Sequence, residues 1–160
     1  MTRQEFSLEV RATQGGLRRF LVSLCAGDSA LADDIAQESY MKAYLACDTF
    51  RGQSSFATWI HRIACNEFMS HKRRPRHECE LPTTVQHAAT EEADASFRYQ
   101  ALYNAMAQLP ERERMAIGLY YLQGYSTEEI SKILDISASN VRQILTRGRL
   151  HLKTALNNNF

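Results

Sequence analysis

Apolar residues recur at helical spacing along nearly the whole chain, and this pattern is the strongest limit on its fold. No stretch alternates apolar and polar residues over several positions, as a half-buried strand would. Only three prolines occur, Pro75, Pro82 and Pro110, so few helices would be interrupted. The 160 residues therefore predict an all-α protein of one ordinary domain or two very small ones.

A series of helical segments is predicted. Residues 5–25 form one or two helices, because Gly15 and Gly16 offer a point of interruption. Residues 73–92 hold two of the three prolines and little apolar periodicity, which indicates a flexible linker. The chain is thus predicted to form two small helical domains, 1–72 and 93–160, joined by linker 73–92. The remaining predicted helices cover 30–47, 55–71, 92–108, 111–122, 127–134 and 138–156. In the 30–47 helix, the apolar residues are predicted to fall on one side: Ile35, Tyr40, Met41, Tyr44 and Leu45.

Charge is segregated although the net charge is only +1. Residues 27–48 hold five acids and one base, whereas residues 51–77 hold six bases and one acid. Residues 78–95 hold five acids and no base, and residues 138–156 hold four bases and no acid. Two basic blocks separated by an acidic connector predict two surfaces that face polyanions.

Other classes of protein fit the sequence poorly. No apolar run approaches the roughly 18 residues that suggest a membrane span, so no membrane insertion is expected, and we predict a cytoplasmic protein. The chain has no Gly-rich phosphate loop, H-E-x-x-H motif or nucleophile elbow. The adjacent Asp33 and Asp34 point apart on a helix, which argues against a magnesium site with Glu38. We therefore predict no enzyme activity and no cofactor.

The cysteines are predicted to be free thiols. They are widely spaced and form no C-x-x-C pair. A zinc site is the alternative, built on His61 and Cys65 with His71, His77 or Cys79, but it lacks metal spacing of high specificity, and no metal is predicted. The four cysteines are Cys25, Cys47, Cys65 and Cys79.

A helix-turn-helix is predicted near the carboxyl end. Ser126 with Glu129 three residues later forms a capping box that starts one helix. After a short turn at 135–137, Ser137 caps a second helix. The inner faces of the two helices are predicted to be Ile130, Ile133 and Leu134, then Val141, Ile144 and Leu145. An ordinary αα-hairpin with a solvated basic face is the alternative. The outer face of the second helix carries side chains able to bond base edges or phosphates: Asn140, Arg142, Gln143, Thr146 and Arg147.

Aromatic rings, hydroxyls and positive charge coincide in residues 50–74. Single-stranded nucleic acid has stacking bases and anionic phosphates, so it would explain this combination. Trp59 shares helical spacing with Phe56, Ile60 and Ile63. We therefore expect Trp59 to pack in the core, with base stacking as the alternative.

Four segments together resemble one protein family. They are DDIAQESYMKAY (33–44), FRGQSSFATWIHRIACNEF (50–68), LPERERMAI (109–117) and YSTEEISKILDISASNVRQILTRGRLHL (125–152). In this order they resemble the extracytoplasmic-function (ECF) sigma factors of bacterial RNA polymerase, over about residues 25–156. The resemblance implies a sigma region 2-like domain, a flexible linker and a sigma region 4-like domain. It also implies that the chain binds core RNA polymerase and directs promoter recognition and transcription initiation.

The resemblance also implies roles for individual residues. It implies polymerase contacts by Asp34, Gln37 and Glu38. It implies contacts of the recognition helix with the −35 element by Arg142, Gln143, Thr146 and Arg147, with Asn140 beside them and Arg149 on the phosphates. For the −10 element it implies a loop that captures a flipped base, followed by two residues near the same strand: Phe50, Arg51, Gly52, Gln53, Ser54 and Ser55, then Arg62 and Asn66.

Promoter DNA, core polymerase and an anti-sigma protein are the partners that the resemblance implies. The sequence departs from the family at Asp135, where the turn often has Gly, and at Tyr120, where a basic residue is frequent. The amino-terminal helix also lacks the fuller aromatic pattern usual there. The competing hypothesis is a homodimeric helix-turn-helix regulator with an amino-terminal sensor domain, which leaves residues 50–68 unexplained.

Overall fold

The computed structural model of the chain describes residues 1–74 and 93–158, the side chains of residues 93–98 excepted. These residues contain helices and connecting turns but no strand, which confirms the predicted all-α class. The α-helices are α1 Arg3–Leu24, α2 Ser29–Leu45, α3 Phe56–Arg73, α4 Ala93–Ala107, α5 Glu111–Ile117, α6 Thr127–Leu134 and α7 Ala138–Asn158. A 3-10 turn covers Cys47–Thr49, and a π-helical turn covers Gly118–Leu122.

Helix α1 is continuous through the two glycines at which a break was considered. It begins at a capping box in which Glu5 N–H donates to Thr2 Oγ1 and Thr2 N–H donates to the Glu5 carboxylate. Apolar residues on both sides of the glycines, among them Phe6 and Phe20, are buried in the same core. Their burial offsets the cost of about 1 kcal/mol for each helical Gly.

Helix α2 buries a different face from the one that hydrophobicity predicts. Ile35 is fully buried, as expected, but Met41 is 65% exposed and Leu45 is 77% exposed. Small residues fill the close contact of α2 with its neighbours: Ala32, Ser39 and Ala43 are completely buried. The prediction that Met41 and Leu45 fall on the same side of the helix as Ile35 was therefore wrong, because close helix packing selects small side chains at the interface.

The helix-turn-helix forms as predicted from α6 and α7. Glu129 N–H donates to Ser126 Oγ, and Ser126 N–H donates to the Glu129 carboxylate, which completes the predicted capping box. Asp135 adopts the left-handed conformation (φ 55°, ψ 48°) at the turn, where Gly is common in the family. Asp tolerates this region better than most residues, so the turn is retained.

Residues 1–74, called the first half below, contact residues 93–158, called the second half. Helix α3 packs on α6, and α1 packs on the π-helical turn, α4 and α5. The buried apolar side chains of both halves join in one continuous cluster. None of the helices within the described ranges is long and apolar enough to cross a membrane.

Candidate nucleic-acid interface

The loop between the 3-10 turn and α3 presents polar groups to solvent. Arg51, Gly52 and Gln53 are exposed, and Gly52 has a positive φ of 68° that lets the chain reverse there. Ser55 caps α3, since its Oγ accepts from Thr58 N–H at 3.1 Å. Its hydroxyl also donates to Thr58 Oγ1, so Ser55 has a structural role in addition to its predicted DNA contact.

An aromatic cluster supports this loop from below. The Phe50 ring lies 4.7 Å from the Trp59 ring, centroid to centroid, and both side chains are half-buried. Phe56 is buried and meets Phe6, Phe50 and Trp59 edge to face. Trp59 thus packs against the core, in line with the preferred of its two readings. The loop therefore lies next to a packed aromatic cluster.

Helix α3 presents two of the predicted DNA contacts on one side. Arg62 and Asn66 are exposed and lie four residues apart, so they follow each other along one face. The opposite face of α3 is buried, including Ile60, Ala64 and Phe68. The helix ends in the basic run His71, Lys72 and Arg73, which suits its carboxyl-terminal dipole.

Helix α7 separates its apolar and polar faces. Val141, Ile144 and Leu145 are buried. The six residues predicted to meet the −35 element are all exposed: Asn140, Arg142, Gln143, Thr146, Arg147 and Arg149. Two of them have internal partners, because Thr146 Oγ1 donates to the Arg142 carbonyl at 2.9 Å and Arg149 donates to the Tyr121 hydroxyl at 3.2 Å. The Tyr121 bond, which raises the pKa of Arg149, was not predicted from sequence.

Helix α7 lies against α5 at a glycine. A Cβ on Gly148 would stand 3.0 Å from Ile117 Cγ1, so a larger residue would push the two helices apart. Glu113, on α5, is buried and accepts from His151 Nδ1 at 2.6 Å. These contacts fix the orientation of the recognition helix.

The outer face of α2 carries the residues predicted to bind polymerase. Asp34 and Gln37 are exposed. Glu38 is partly covered and accepts from His71 Nε2 at 3.0 Å, a hydrogen bond that lowers the pKa of the Glu38 carboxyl. Met41 and Leu45 continue the line of Asp34 and Gln37 along the helix, so this face combines polar and apolar groups. Sequence reasoning missed these two residues because it assigned them to the core.

The cysteines of the described ranges are unpaired, as predicted. Cys25, Cys47 and Cys65 are buried free thiols, and Cys79 lies outside the described residues. Burial raises the pKa of Cys25 and of Cys65 to about 12, which keeps both thiols protonated and unreactive. Within the described residues, no three His, Cys, Asp or Glu side chains converge on a metal site. His77, considered above as a ligand, falls outside them.

Family comparisons agree with the two halves of this interface. The family model for Sigma-70 region 2 matches residues 10–78, and the model for Sigma-70, region 4 matches residues 99–152. The chain is 31% identical over 144 residues to the ECF RNA polymerase sigma factor SigM of Bacillus subtilis, covering 87% of each chain. It is 36% identical over 131 residues to the ECF RNA polymerase sigma-E factor of Salmonella typhimurium, covering 72% of this chain and 69% of the relative.

Solved structures share the fold across both halves. The sigma factor RpoE from Bartonella quintana, in complex with the anti-sigma factor NepR, superposes with a TM-score of 0.76 at 24% identity, covering 96% of this chain and 98% of that one. CnrH, in complex with the cytosolic domain of CnrY, superposes with a TM-score of 0.76 at 20% identity, covering 99% and 92%. These comparisons do not favour the homodimeric regulator. The chain belongs to the ECF sigma factors, which bind core RNA polymerase and direct promoter recognition and transcription initiation.

Proposed function

We propose that this sigma factor has three exposed binding surfaces, one for the polymerase and one for each of the two promoter elements. The region 2-like domain, residues 1–72, carries the polymerase and −10 surfaces, and the region 4-like domain, residues 93–160, carries the −35 surface. The observation that supports this most strongly is the two-faced character of α7, whose apolar side is buried while all six polar candidates face solvent.

At the −35 element, α7 enters the major groove as a helix-turn-helix recognition helix. Gln143 is proposed to read adenine through a bidentate amide contact, and Arg142 to contact guanine or phosphate. Arg149, lying nearer the end of the exposed face, contacts phosphate and adds affinity without sequence information. Asn140, Thr146 and Arg147 complete this surface.

At the −10 element, the loop at 50–55 is proposed to hold a base flipped out of the non-template strand. Flipping costs a few kcal/mol, which contacts to the base edge offset. The side chains of Arg51 and Gln53 are exposed and able to make such contacts, and Ser54 is partly exposed beside them, with its hydroxyl donating to the Ser55 carbonyl at 3.4 Å. Arg62 and Asn66 lie along α3 beside the same strand and would bind its backbone or bases.

The polymerase contact is proposed to lie on the outer face of α2. Asp34 and Gln37 supply polar contacts to a basic partner surface, and Met41 and Leu45 supply apolar surface that is buried when the polymerase binds. Protein interfaces usually combine apolar area with polar contacts, and the α2 face offers both. Glu38 is proposed to act at the margin, because it is already bonded to His71.

An anti-sigma protein is proposed as the regulator, in line with the partners named in the two structural neighbours. An apolar groove of about 380 Å³ runs between α4, the π-helical turn and α7. Leu102, Met106 and Leu152 line it, together with the exposed basic residues Arg149 and Lys153. An amphipathic helix with acidic flanks fits this combination. Because core polymerase is a cytoplasmic enzyme, we propose that the chain works in the cytoplasm and takes no catalytic part itself.

Capture by core polymerase tests the assignment of the α2 face. The charge reversal Asp34→Arg is compared with Asp33→Arg, which makes the same change one position away, about 100° around the helix. Asp33 forms a surface ion pair with Arg18 whose loss costs at most about 1 kcal/mol. We expect Asp34→Arg to weaken binding to immobilised core polymerase at least tenfold and Asp33→Arg to change it less than threefold.

Two apolar-to-polar substitutions extend the test. Met41→Ser and Leu45→Ser should each weaken capture several-fold without unfolding the chain, since both side chains are exposed. Equal binding by the wild type and all these variants would remove the α2 face from the polymerase contact. Failure of the wild type itself to bind core polymerase would contradict the proposed function as a whole.

A further inference from the structure

A crevice of about 290 Å³ lies along helix α3. One of its walls is a face of α3, and the opposite wall is formed by α5, the end of α6 and the turn that follows α6. The crevice shares no lining residue with the apolar groove between α4 and α7, so the two are separate features of the surface. A cavity of this size is at the lower limit for one small organic ligand.

The inner part of the crevice is apolar. Met115 and Ile133 are buried there, and Met69, Leu134 and Ile136 are half-buried. Methionine side chains are flexible and polarisable, so the two methionines can adapt their shape to a ligand. They stand on opposite walls, Met69 on α3 and Met115 on α5. An apolar ligand body would therefore be in contact with both walls.

Two exposed arginines also stand on opposite walls of the crevice, Arg73 on α3 and Arg112 on α5. Among the described residues, neither of them forms an ion pair, and the residues that line the crevice include no carboxylate. Asn66 and Ser70 add an amide and a hydroxyl on the α3 wall. A planar guanidinium matches the paired oxygens of a carboxylate or a phosphate. The crevice therefore combines positive charge at its exposed edge with an apolar interior.

The basic neighbours of these two arginines already have partners. His71 and Arg74 lie 3.0 Å and 3.9 Å from the Glu38 carboxylate. Lys72 Nζ lies 5.5 Å from the centroid of an aromatic ring on its own helix. On α5, the guanidinium of Arg114 donates to three backbone carbonyls. The two arginines of the crevice thus differ from the bases beside them, because their donors remain available to a ligand.

We propose that this crevice is a binding site for a small organic anion with an apolar body. The carboxylate or phosphate group of the ligand lies between Arg73 and Arg112. Its apolar body packs between Met69 and Met115. Charge-assisted hydrogen bonds to the head group fix the orientation of the ligand, and burial of its body supplies the larger share of the affinity.

Methyl NMR of the free full-length chain, labelled at methionine, tests the proposal. Met69 and Met115 report on the crevice, Met106 on the apolar groove, and Met41 on the outer face of α2. The probes are octanoate and octyl phosphate, which carry the same body on a carboxylate or on a phosphate. We expect at least one of them to shift the Met69 and Met115 signals saturably, with a dissociation constant on the order of 0.1 mM. Shifts confined to Met41 or Met106, or no saturable shift with either probe, would overturn the proposal.

Two further compounds separate the contributions of the head group and the body. Octanol has the apolar body without the charge, and inorganic phosphate has the charge without the body. Each should bind about tenfold more weakly than the better of the two octyl anions, or weaker still, because each lacks one of the two kinds of contact. Binding of octanol or of inorganic phosphate as tight as that of the octyl anion would overturn the proposed ligand class.

Substitution of the two arginines tests the head-group contact. Arg73→Met and Arg112→Met each remove one guanidinium but keep a long apolar side chain, and each should weaken binding of the octyl anion about tenfold. Lys72→Met is the matched control, because it removes a positive charge from the adjacent position of α3, about 100° around the helix. This control should change binding less than twofold. An equal loss in Lys72→Met and Arg73→Met would show general attraction to a basic surface and overturn the site.

Single-stranded DNA is the competing occupant of the crevice, because Asn66 also belongs to the proposed −10 surface. Pentathymidylate is therefore titrated into the same labelled chain under the same conditions. We expect the octyl anion to shift the Met69 and Met115 signals at lower concentration than pentathymidylate does. Shifts of these two signals by pentathymidylate but by neither octyl anion would assign the two arginines to the DNA backbone and overturn the proposal.

Discussion

Among the residues of the second half, Arg114 is the one whose replacement we expect to lower the free energy of unfolding most, relative to the size of its side chain. Arg114 is 6% exposed, and its guanidinium donates to three carbonyls: Leu24 at 2.8 Å, Leu109 at 3.1 Å and Ala107 at 3.3 Å. No carboxylate among the described residues forms an ion pair with it. Burial lowers the pKa of Arg114, which reflects the cost of removing this charge from water.

The magnitude follows from two opposing contributions. Hydrogen bonds to a charged group are worth about 1.5–3 kcal/mol each, so three of them added separately would give about 5–9 kcal/mol. Arg114→Met recovers the desolvation cost of the guanidinium but leaves three carbonyls without this donor, two of them at longer distances. We expect a net loss of about 3 kcal/mol in the free energy of unfolding. For a chain of this size, that loss lowers Tm by about 6–12 °C.

Urea unfolding followed by circular dichroism measures the effect. Arg112→Met is the matched control, because Arg112 is on the same helix but exposed, and its loss should change stability by less than about 0.5 kcal/mol. Arg114→Lys should recover only part of the loss, since an ammonium cannot span the three carbonyls as a planar guanidinium does. Equal stability of Arg114→Met and Arg112→Met would refute this account of the buried guanidinium.

Three further predictions concern titration, a buried acid and DNA reading. Burial lowers the pKa of His61 below its ordinary value of 6.5, so the unfolded chain binds a proton at a higher pH than the folded chain, and the free energy of unfolding falls as the pH drops below 6.5. His61→Gln should make the free energy of unfolding, measured by urea titration at several pH values, depend less on pH. An unchanged pH dependence would contradict this prediction. Lys42→Met should lower the free energy of unfolding by about 1–3 kcal/mol, because it removes the ion-pair partner of the buried Glu67 carboxylate. An unchanged free energy of unfolding would show that this carboxylate needs no cation beside it. In holoenzyme binding assays, Gln143→Ala should reduce the discrimination between bases at one −35 position by about 1–3 kcal/mol. Arg149→Ala should weaken binding to all promoter sequences alike and lower the slope of log affinity against log salt concentration by about one unit. The reverse pattern would exchange the roles of the two residues.

The helix-turn-helix shows how far local sequence signals reach. The capping box at Ser126 and Glu129 and the apolar spacing of α7 predicted two helices and their inner faces, and both were confirmed. These signals act over three or four residues, so they can be read from periodicity. The placement of Asp135 in the left-handed region follows from the same local geometry.

Contacts between distant segments could not be predicted in this way. The bond from Arg114 to Leu24 joins residues 90 positions apart, and nothing around Arg114 distinguishes it from its exposed neighbour Arg112. Gly118 looks like an ordinary helix breaker until the Phe20 ring is placed beside it. The apolar part of the outer face of α2 was missed for a related reason, since Met41 and Leu45 resemble core residues in sequence and only the packing of small residues reveals their exposure.

Transcription in vitro with purified core RNA polymerase tests the central claim most directly. Core enzyme is incubated with genomic DNA fragments, with and without the protein, and transcript 5′ ends are sequenced. The account predicts a set of start sites that depend on the added protein and share sequence elements near −10 and −35. Start sites identical with and without the protein would contradict its function as a sigma factor.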